Sequence, residues 1–487
     1  MELAEHQIMS GTADTVGWEM RSEWRFMLWS GVILTTLFVL FIVFGGGRIE
    51  SLLVLPALGV LLLAVGNMTL ALSMLVIVLY IMFPISIFTS APWFAVVVAV
   101  AFLVNHRDFA WKDLSTPLTI PLVIFALSVV PSLFNAGNPW MCIVRMFNVF
   151  GFLTAMYATI MSVRDSRTVR NLVRLYIIMA LLNGLTVLYW SLITGKRQYG
   201  FAGIMYVDYA GIAVCLLVII ALFTVGRTRV LALLTGFVIG IALILTQTRN
   251  AWIATVITLG FVGIYLFRHP AIIGVPRRRL LQYAVVGAVL LVIAVGGALL
   301  VNPAVEKRAE NLAEMDPEEV GETVVVQNSL ITWLMIWHTA ANAYAAHPWI
   351  GVGIYGFAQT SRKYSILPTL FYDRYVRNMS AHIAFFSILV EAGVVGMAGF
   401  LVFLGSIIRL TLRSVREARG KRAQGFALVG MTAMAYITVS MFLTDAWLWG
   451  QGGVLWGLVV GLIIANMRVN SREADAVKEL SPQGIQG

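Results

Sequence analysis

Residues 379–393 read M-S-A-H-I-A-F-F-S-I-L-V-E-A-G, which is the pattern of a helix entering a membrane. After His382 the side chains are apolar almost without interruption until Glu391, and Arg374 and Arg377 lie just ahead of the stretch. A histidine and guanidinium groups are costly to leave unpaired beside hydrocarbon. The sequence therefore predicts a site for a charged ligand at the mouth of this helix.

The whole chain has the composition of a membrane protein. It has 487 residues, of which 60% are hydrophobic and 12% charged, and its mean hydropathy is +0.87. Apolar runs of about 17–25 residues, long enough to span a bilayer, recur along it. We therefore predict an all-α polytopic membrane protein. The sequence indicates about fourteen spans, at residues 28–45, 51–66, 68–88, 91–105, 117–134, 141–161, 171–194, 207–225, 229–246, 250–267, 280–301, 383–410, 423–443 and 450–466.

Lysine and arginine cluster in alternate loops, which the positive-inside rule assigns to the cytoplasm. These clusters fall at residues 164–170, 227–229, 268–279, 409–422 and 468–478. Both termini, residues 1–27 and 467–487, are then cytoplasmic tails, and the first lacks the apolar core and cleavage site of a signal peptide. The net charge of +10 indicates topology and contact with membrane lipids, not nucleic acid binding.

The predicted spans enclose one long external loop. Residues 28–301 form an N-terminal bundle, residues 302–382 the loop, and residues 383–466 the C-terminal helices. A loop of this length is uncommon unless it is functional. Within it, apolar residues recur at helical spacing and are expected to lay an amphipathic helix flat on the bilayer. These residues are Leu330, Trp333, Leu334 and Trp337.

Basic residues also occur on the external side, where the orientation rule does not require them. They are Lys196, Arg197, Arg249, Lys307, Arg308, Arg362, Lys363, Arg374 and Arg377. This excess predicts an anionic ligand on that side. The loop stretch Gly351–Gly356 matches G-x-G-x-x-G, but no strand precedes it and no βαβ unit surrounds it, so nucleotide binding is not supported. The sequence also contains no Walker motif and no Asp-rich cluster suited to Mg²⁺.

Three stretches resemble the O-antigen ligase and O-antigen polymerase family. Residues 246–252, T-Q-T-R-N-A-W, are similar to its T-x-S/T-R-x-A-W element. The loop residues from Asn328 through Trp337 and Pro348–Gly353 to Phe357 are similar to its S…W…A…P-x-x-G-x-G…F pattern. Ala381-His382, followed by Leu389, Glu391 and Gly393, resembles its A-H-N…L…E-x-G segment. The resemblance covers about residues 200–410.

The resemblance implies a glycosyltransferase of the bacterial inner membrane with its active site on the periplasmic face. Its donor would be a glycan on undecaprenyl diphosphate and its acceptor another glycan or a lipid, with no metal and no cofactor. A chain-length regulator protein is a further candidate partner. Such an enzyme takes part in lipopolysaccharide or exopolysaccharide assembly.

The candidate residues follow from that chemistry. Departure of a diphosphate needs fixed cations if no metal is present, and guanidinium groups bind phosphate oxygens in pairs. Arg249, at the external end of a span, is therefore the predicted catalytic cation, and His382 is the predicted general base. Glu391 is expected to face away from His382 and to contact a neighbouring helix. Substrate-binding candidates are Arg308, Arg374, Arg377, Arg197 and Arg145, and Asp208 and Asp445 are further cavity-lining candidates.

The sequence leaves three functions open. A ligase passes a finished glycan to lipid A-core or a protein, whereas a polymerase passes a growing chain to another lipid-linked unit. The predicted fourteen spans, and Ile383 where the family usually has Asn, favour the polymerase slightly. A flippase or secondary transporter is the alternative from another class. It would be expected to show internal repeats with broken helices and polar residues near the membrane midplane, and the sequence shows no such repeat.

Overall fold

A computed structural model provides the coordinates of the chain. It describes residues 67–80, 114–194, 198–272, 274–282, 329–448 and 450–480, the strands 316–320 and 323–327, and positions 95, 98, 99, 101–103, 285, 287 and 296. The described residues are predominantly helical, which confirms the predicted fold class. One short antiparallel hairpin is added to the predicted pattern, with β1 (Asp316–Val320) paired to β2 (Thr323–Gln327).

Besides the helical residues 277–282, thirteen α-helices of the described part of the chain coincide with predicted spans or with the predicted loop. In chain order they are α1 (Met68–Leu79), α2 (Thr119–Val129), α3 (Pro139–Ser162), α4 (Ser166–Thr194), α5 (Tyr206–Phe223), α6 (Gly226–Leu245), α7 (Arg249–Arg268), α8 (Ser329–Ala346), α9 (Phe357–Thr360), α10 (Thr369–Tyr375), α11 (Ala384–Glu417), α12 (Lys421–Ser440) and α13 (Gly450–Leu480). Short 3₁₀ helices extend α2 (Val130–Asn135), precede α5 (Gly200–Met205), and follow α7 (Pro270–Ile272), α9 (Ser361–Lys363) and α12 (Ala446–Leu448).

Seven of the described helices are long and apolar enough to cross a membrane: α4 to α7 and α11 to α13. Three shorter apolar helices, at Met68–Leu79, Thr119–Asn135 and Val149–Ser162, also fall on predicted spans. The predicted spans 28–45 and 51–66 lie outside the described residues, as do most of 91–105 and 280–301. The polytopic membrane class is confirmed, and the count of fourteen stays a prediction.

The described residues fall into two compact units. Residues 67–74, 98, 99 and 101–103 belong to the smaller unit, and the others belong to the larger one. In the larger unit α13 packs along α3, α11 along α2, and α5 against both α6 and α12. Aromatic rings with centroids 5.0–6.5 Å apart join α2, α3, α11 and α13, and contacts of this kind add to the energy of apolar burial. They belong to Phe125, Phe152, Phe400, Phe403 and Trp456.

The described part of the predicted long loop folds around a small core of its own. Helix α8 buries Ile336, Ala340 and Ala343 against residues of α9, α10 and the start of α11. Trp337 lies on the same side, and its indole Nε1–H donates to the carbonyl of Ala381 at 3.1 Å. The helix predicted in the loop is present as α8, and its Trp337 packs against the core of the loop.

Helix α11 is interrupted by a single left-handed residue, Gly393, with φ 66° and ψ −169°. Such a break leaves backbone groups unpaired, which is costly in hydrocarbon unless other parts of the protein satisfy them. The loop supplies the partners. Four hydrogen bonds of 2.9–3.1 Å join the two sides of the break to loop residues: Val352 N to Val390 O, Gly353 N to Glu391 O, Val394 N to Pro348 O, and Val395 N to Trp349 O.

Gly393→Ala is expected to destabilise this junction. Its φ of 66° disfavours any side chain, and an added Cβ would collide with the carbonyl of Trp349. We predict a loss of about 1–3 kcal/mol in the free energy of unfolding. It would be measured as a lower unfolding midpoint of the purified protein. Gly405→Ala, in the same helix with nothing within 4 Å, is the control and should be neutral or stabilising. An unchanged midpoint for Gly393→Ala would contradict the docking geometry.

Candidate functional site

The turn between α12 and the following 3₁₀ helix, residues 441–445, fastens the first turns of two other helices. At the start of α11, the backbone N–H of Ala384 donates to the carbonyls of Met441 (3.1 Å) and Thr444 (3.3 Å). At the start of α7, the side-chain amide of Asn250 donates to the carbonyl of Leu443 at 2.9 Å. We call this corner, formed by residues 441–445 and the first turns of α7 and α11, the helix-start corner.

The two predicted catalytic residues lie in or next to the helix-start corner. Arg249 is the first residue of α7, directly before Asn250, and His382 lies two residues before Ala384. Stacking of Phe385 on Phe442, with ring centroids 4.3 Å apart, holds the start of α11 against the turn. The corner also receives two helix N-termini, whose partial positive charge favours an anion. The structure thus attaches to one turn the two chain segments that carry Arg249 and His382, which are 133 residues apart in the chain.

The backbone at the site adopts conformations that ordinary residues avoid. Among the described residues, the non-glycine residues with positive φ are Gln247, Tyr355, Asn378 and His382. All four lie in the TQTRNAW element or in the loop. Strained backbone of this kind costs about 1–3 kcal/mol per residue and clusters at functional sites. His382, at φ 61°, is held in place by the bond from Trp337 to the adjacent Ala381 carbonyl.

Gln247 adds a polar group to the same turn as Arg249. Its side chain is only 5% exposed, and its Nε2 has no hydrogen-bond partner in the chain. An unsatisfied buried donor costs about 1–3 kcal/mol, so a ligand oxygen at this position would remove the penalty. The sequence offered no signal for Gln247, because its position in the family element accepts any residue.

The two arginines that precede His382 lie on the outer part of the loop. Arg374 is half-buried in the last turn of α10, and Arg377 is exposed just beyond it. Arg377 forms an ion pair with Asp373 at 3.7 Å in which both side chains are largely solvated, and such pairs contribute little stability. Seven residues separate Arg374 from His382 in the chain, and four separate Arg377 from it.

The structure does not resolve the roles of the other substrate-binding candidates. Arg145 lies in the first half of α3, on a part of the helix whose side chains are outside the described residues, and Arg197 and Arg308 also lie outside them. Asp445 is buried in the corner and accepts a hydrogen bond from the Ser387 hydroxyl at 3.2 Å. Asp208 is also buried, and accepts from Ser440 (3.0 Å) and Tyr436 (3.3 Å), which joins α5 to α12.

Glu391 is hydrogen-bonded to the loop, a contact that its position in the sequence did not predict. Its carboxylate accepts a hydrogen bond from the backbone N–H of Tyr355 at 2.8 Å, in the middle of the docked segment 351–357. A helical wheel does not relate Glu391 to His382, because His382 lies outside α11, which begins at Ala384. The Glu391 carboxylate therefore holds loop segment 351–357 against α11.

The glycines of the G-x-G-x-x-G stretch allow the loop backbone to lie close against α11. Gly351 and Gly353 have φ of 69° and 99°, and an added Cβ at Gly351 would collide with the backbone of Glu391. The Asn135 amide donates to the Gly351 carbonyl at 2.9 Å and lies 3.2 Å from Nδ1 of His347. The stretch is thus a close backbone contact between loop and bundle, and a phosphate cradle is not needed to explain it.

His347 is part of this anchorage, whereas His338 is exposed on α8. The ring of His347 meets Tyr364 edge-on, with centroids 6.0 Å apart. Burial raises the pKa of Tyr364, so its phenol stays neutral at ordinary pH. His347 therefore packs within the loop.

The fold and this corner define a polytopic membrane protein in which one turn holds the starts of two helices, next to an arginine and a histidine. Residues 231–401 match the family model described as O-antigen ligase. The match confirms, for this part of the chain, the resemblance to the O-antigen ligase and polymerase family, and it supports a role in polysaccharide assembly with membrane-borne glycan substrates. No curated protein sequence matches the chain.

Proposed function

We propose that the protein is a metal-independent glycosyltransferase of the bacterial inner membrane, acting at the periplasmic face. It transfers a glycan from undecaprenyl diphosphate to an acceptor hydroxyl in O-antigen or exopolysaccharide assembly. The observation that carries the proposal is that Asn250, next to Arg249, and Ala384, two residues after His382, are both hydrogen-bonded to one turn, residues 441–445.

The reaction makes one bond and breaks one. The acceptor oxygen attacks the anomeric carbon, and the bond from that carbon to the diphosphate oxygen breaks. The electron pair leaves with undecaprenyl diphosphate, whose developing charge Arg249 stabilises through paired hydrogen bonds. The proton of the acceptor hydroxyl passes to the imidazole of His382, since a base must remove it as the new bond forms.

The remaining arginines are assigned to substrate binding. Arg374 and Arg377 lie just before His382 and would contact the diphosphate or charged sugars of the glycan. Arg145, Arg197 and Arg308 keep the same role as sequence-based predictions. Gln247, with its unpartnered amide donor beside Arg249, is added as a group that hydrogen-bonds the donor.

We favour a polymerase, whose acceptor is a second lipid-linked repeat unit. This preference rests on the predicted number of spans and on Ile383, which stands after His382 where the family usually has Asn. A chain-length regulator would then be a partner protein, because polymer length has to be limited. The ligase, with lipid A-core or a protein as acceptor, is the second candidate and would use the same two residues.

The broken helix α11 does not favour the transporter alternative. In transporters the unwound backbone faces the substrate or ion. Here the backbone groups around Gly393 are hydrogen-bonded to loop residues 348–353, which leaves them unavailable to a transported ligand.

A purified-protein assay with a defined polyprenyl-diphosphate repeat unit tests the proposed function. A polymerase is expected to convert the repeat unit alone into a ladder of lipid-linked products. A ligase is expected to leave it unchanged until lipid A-core is added, and then to form one product for each donor. Absence of any glycan transfer with either acceptor, from correctly folded protein, would contradict the glycosyltransferase proposal.

A further inference from the structure

An apolar cavity lies in the larger unit, toward the end of the bundle opposite the helix-start corner. Helices α4, α5, α12 and α13 form its walls, with side chains that include Leu172, Leu216, Phe426 and Leu458. Its empty space, including the part that is open to the surface, amounts to about 740 Å³. Helix α11 begins beside His382 and reaches this cavity only near its far end, at Ser414.

Two buried polar side chains line this apolar cavity without a partner. Asn466 is 3% exposed, and both its Nδ2 and its Oδ1 lack a hydrogen bond. Ser414 is also 3% exposed, and its hydroxyl oxygen has no partner. Each unsatisfied group costs about 1–3 kcal/mol. A ligand with carbonyl or hydroxyl oxygens would satisfy both an amide donor and a hydroxyl while its hydrocarbon occupied the cavity.

A second, polar pocket adjoins the apolar cavity and shares Phe426 with it. Three cations line it, Arg419, Lys421 and Arg422, together with Ser166, Asn470 and the single carboxylate of Glu473. The excess of positive charge favours an anion. Basic pockets between membrane helices at the cytoplasmic surface commonly hold lipid phosphates.

Arg170 lies between the two pockets on α4. Ser166 of the polar pocket precedes it by four residues and Val173 of the apolar cavity follows it by three, so all three lie on one face of the helix. The Nε of Arg170 is buried and has no hydrogen-bond partner in the chain. A phosphate oxygen at the junction of the pockets would supply one.

We infer that these two pockets form one binding site for an anionic phospholipid. The phosphate occupies the pocket of Arg419, Lys421 and Arg422, the glycerol esters meet Asn466 and Ser414, and one acyl chain fills the apolar cavity. A zwitterionic lipid would gain little from three cations, and free phosphate would leave the cavity and its polar groups unused. The site is separate from the glycan-transfer site and requires no particular reaction there.

Native mass spectrometry of the purified, delipidated full-length chain tests the site directly. The probes are dioleoyl phosphatidylglycerol, dioleoyl phosphatidylcholine and inorganic phosphate at equal concentrations. One variant neutralises the pocket (Arg419→Gln, Lys421→Gln and Arg422→Gln), and its matched control neutralises three nearby exposed arginines outside it (Arg409→Gln, Arg413→Gln and Arg416→Gln). A third variant, Asn466→Leu, keeps the charge but removes the buried amide.

The wild-type chain is expected to bind phosphatidylglycerol at least about tenfold more tightly than phosphatidylcholine, a difference of about 1.4 kcal/mol. The pocket variant should lose this preference and the control triple variant should keep it. Asn466→Leu should weaken phosphatidylglycerol binding several-fold without lowering the unfolding midpoint, because it removes an unsatisfied polar group. Equal binding of both lipids, equal losses in the two triple variants, or binding of inorganic phosphate that displaces the lipid would overturn the inference.

Discussion

His382→Ala is expected to lower the rate of glycan transfer by about 10²–10⁴-fold while leaving donor binding nearly unchanged. A general base acts only in the chemical step, so its removal affects the turnover rate and not the affinity for the lipid-linked glycan. The measurement is product formation and donor binding, made separately on purified protein. Protein level and unfolding midpoint should equal those of the wild type.

His338→Ala is the matched control, because His338 is an exposed histidine on α8 in the same loop. It should keep full activity. Near-normal turnover of His382→Ala would remove the base from the proposed mechanism. A loss of donor binding equal to the loss of rate would instead identify His382 as a substrate-binding residue.

Arg249→Lys is expected to lose about 10²–10³-fold in the rate of transfer although the charge is kept. An ammonium group cannot reproduce the paired hydrogen bonds of a planar guanidinium to phosphate oxygens. Arg249→Ala should weaken donor binding as well, because the guanidinium would contact the diphosphate before the bond breaks. The two variants are compared by the same separated rate and binding measurements.

Arg268→Lys, at the exposed far end of the same helix α7, is the matched control and should behave as the wild type. Full activity of Arg249→Lys at normal protein level would contradict the catalytic role of Arg249. Its positive charge would then serve only the membrane topology of the helix. Donor binding separates the two proposed roles. It should be weakened in Arg249→Ala, which loses a contact to the diphosphate, and normal in His382→Ala, which loses only the general base.

Much of the helical fold could be predicted from hydropathy, because spans such as α5 and α12 consist of apolar runs of membrane-crossing length. The break in α11 could not be predicted in this way, because the apolar residues continue on both sides of Gly393. The left-handed conformation of Gly393 is explained by loop segment 348–353, which is hydrogen-bonded to the helix on both sides of the break. The hairpin of β1 and β2 was missed because the only element predicted in the loop was a helix, from apolar residues at helical spacing.

The site could be predicted in part. Arg249 and His382 were identified because polar groups at membrane-helix ends are costly and because short motifs surround them. Their common attachment to residues 441–445 could not be foreseen, since these three segments are far apart in the chain. Trp337 was assigned to the bilayer on periodicity alone, but its hydrogen bond to Ala381 depends on tertiary packing.

The most direct test of the proposed mechanism is the rate of glycan transfer by the purified wild-type protein before and after divalent metal ions are removed with EDTA. Fixed guanidinium groups, with Arg249 foremost, are proposed to take the role that a metal would otherwise have. We therefore predict the same rate with and without EDTA. A rate that falls to the level of Arg249→Ala on chelation, and returns when Mg²⁺ is restored, would contradict the mechanism.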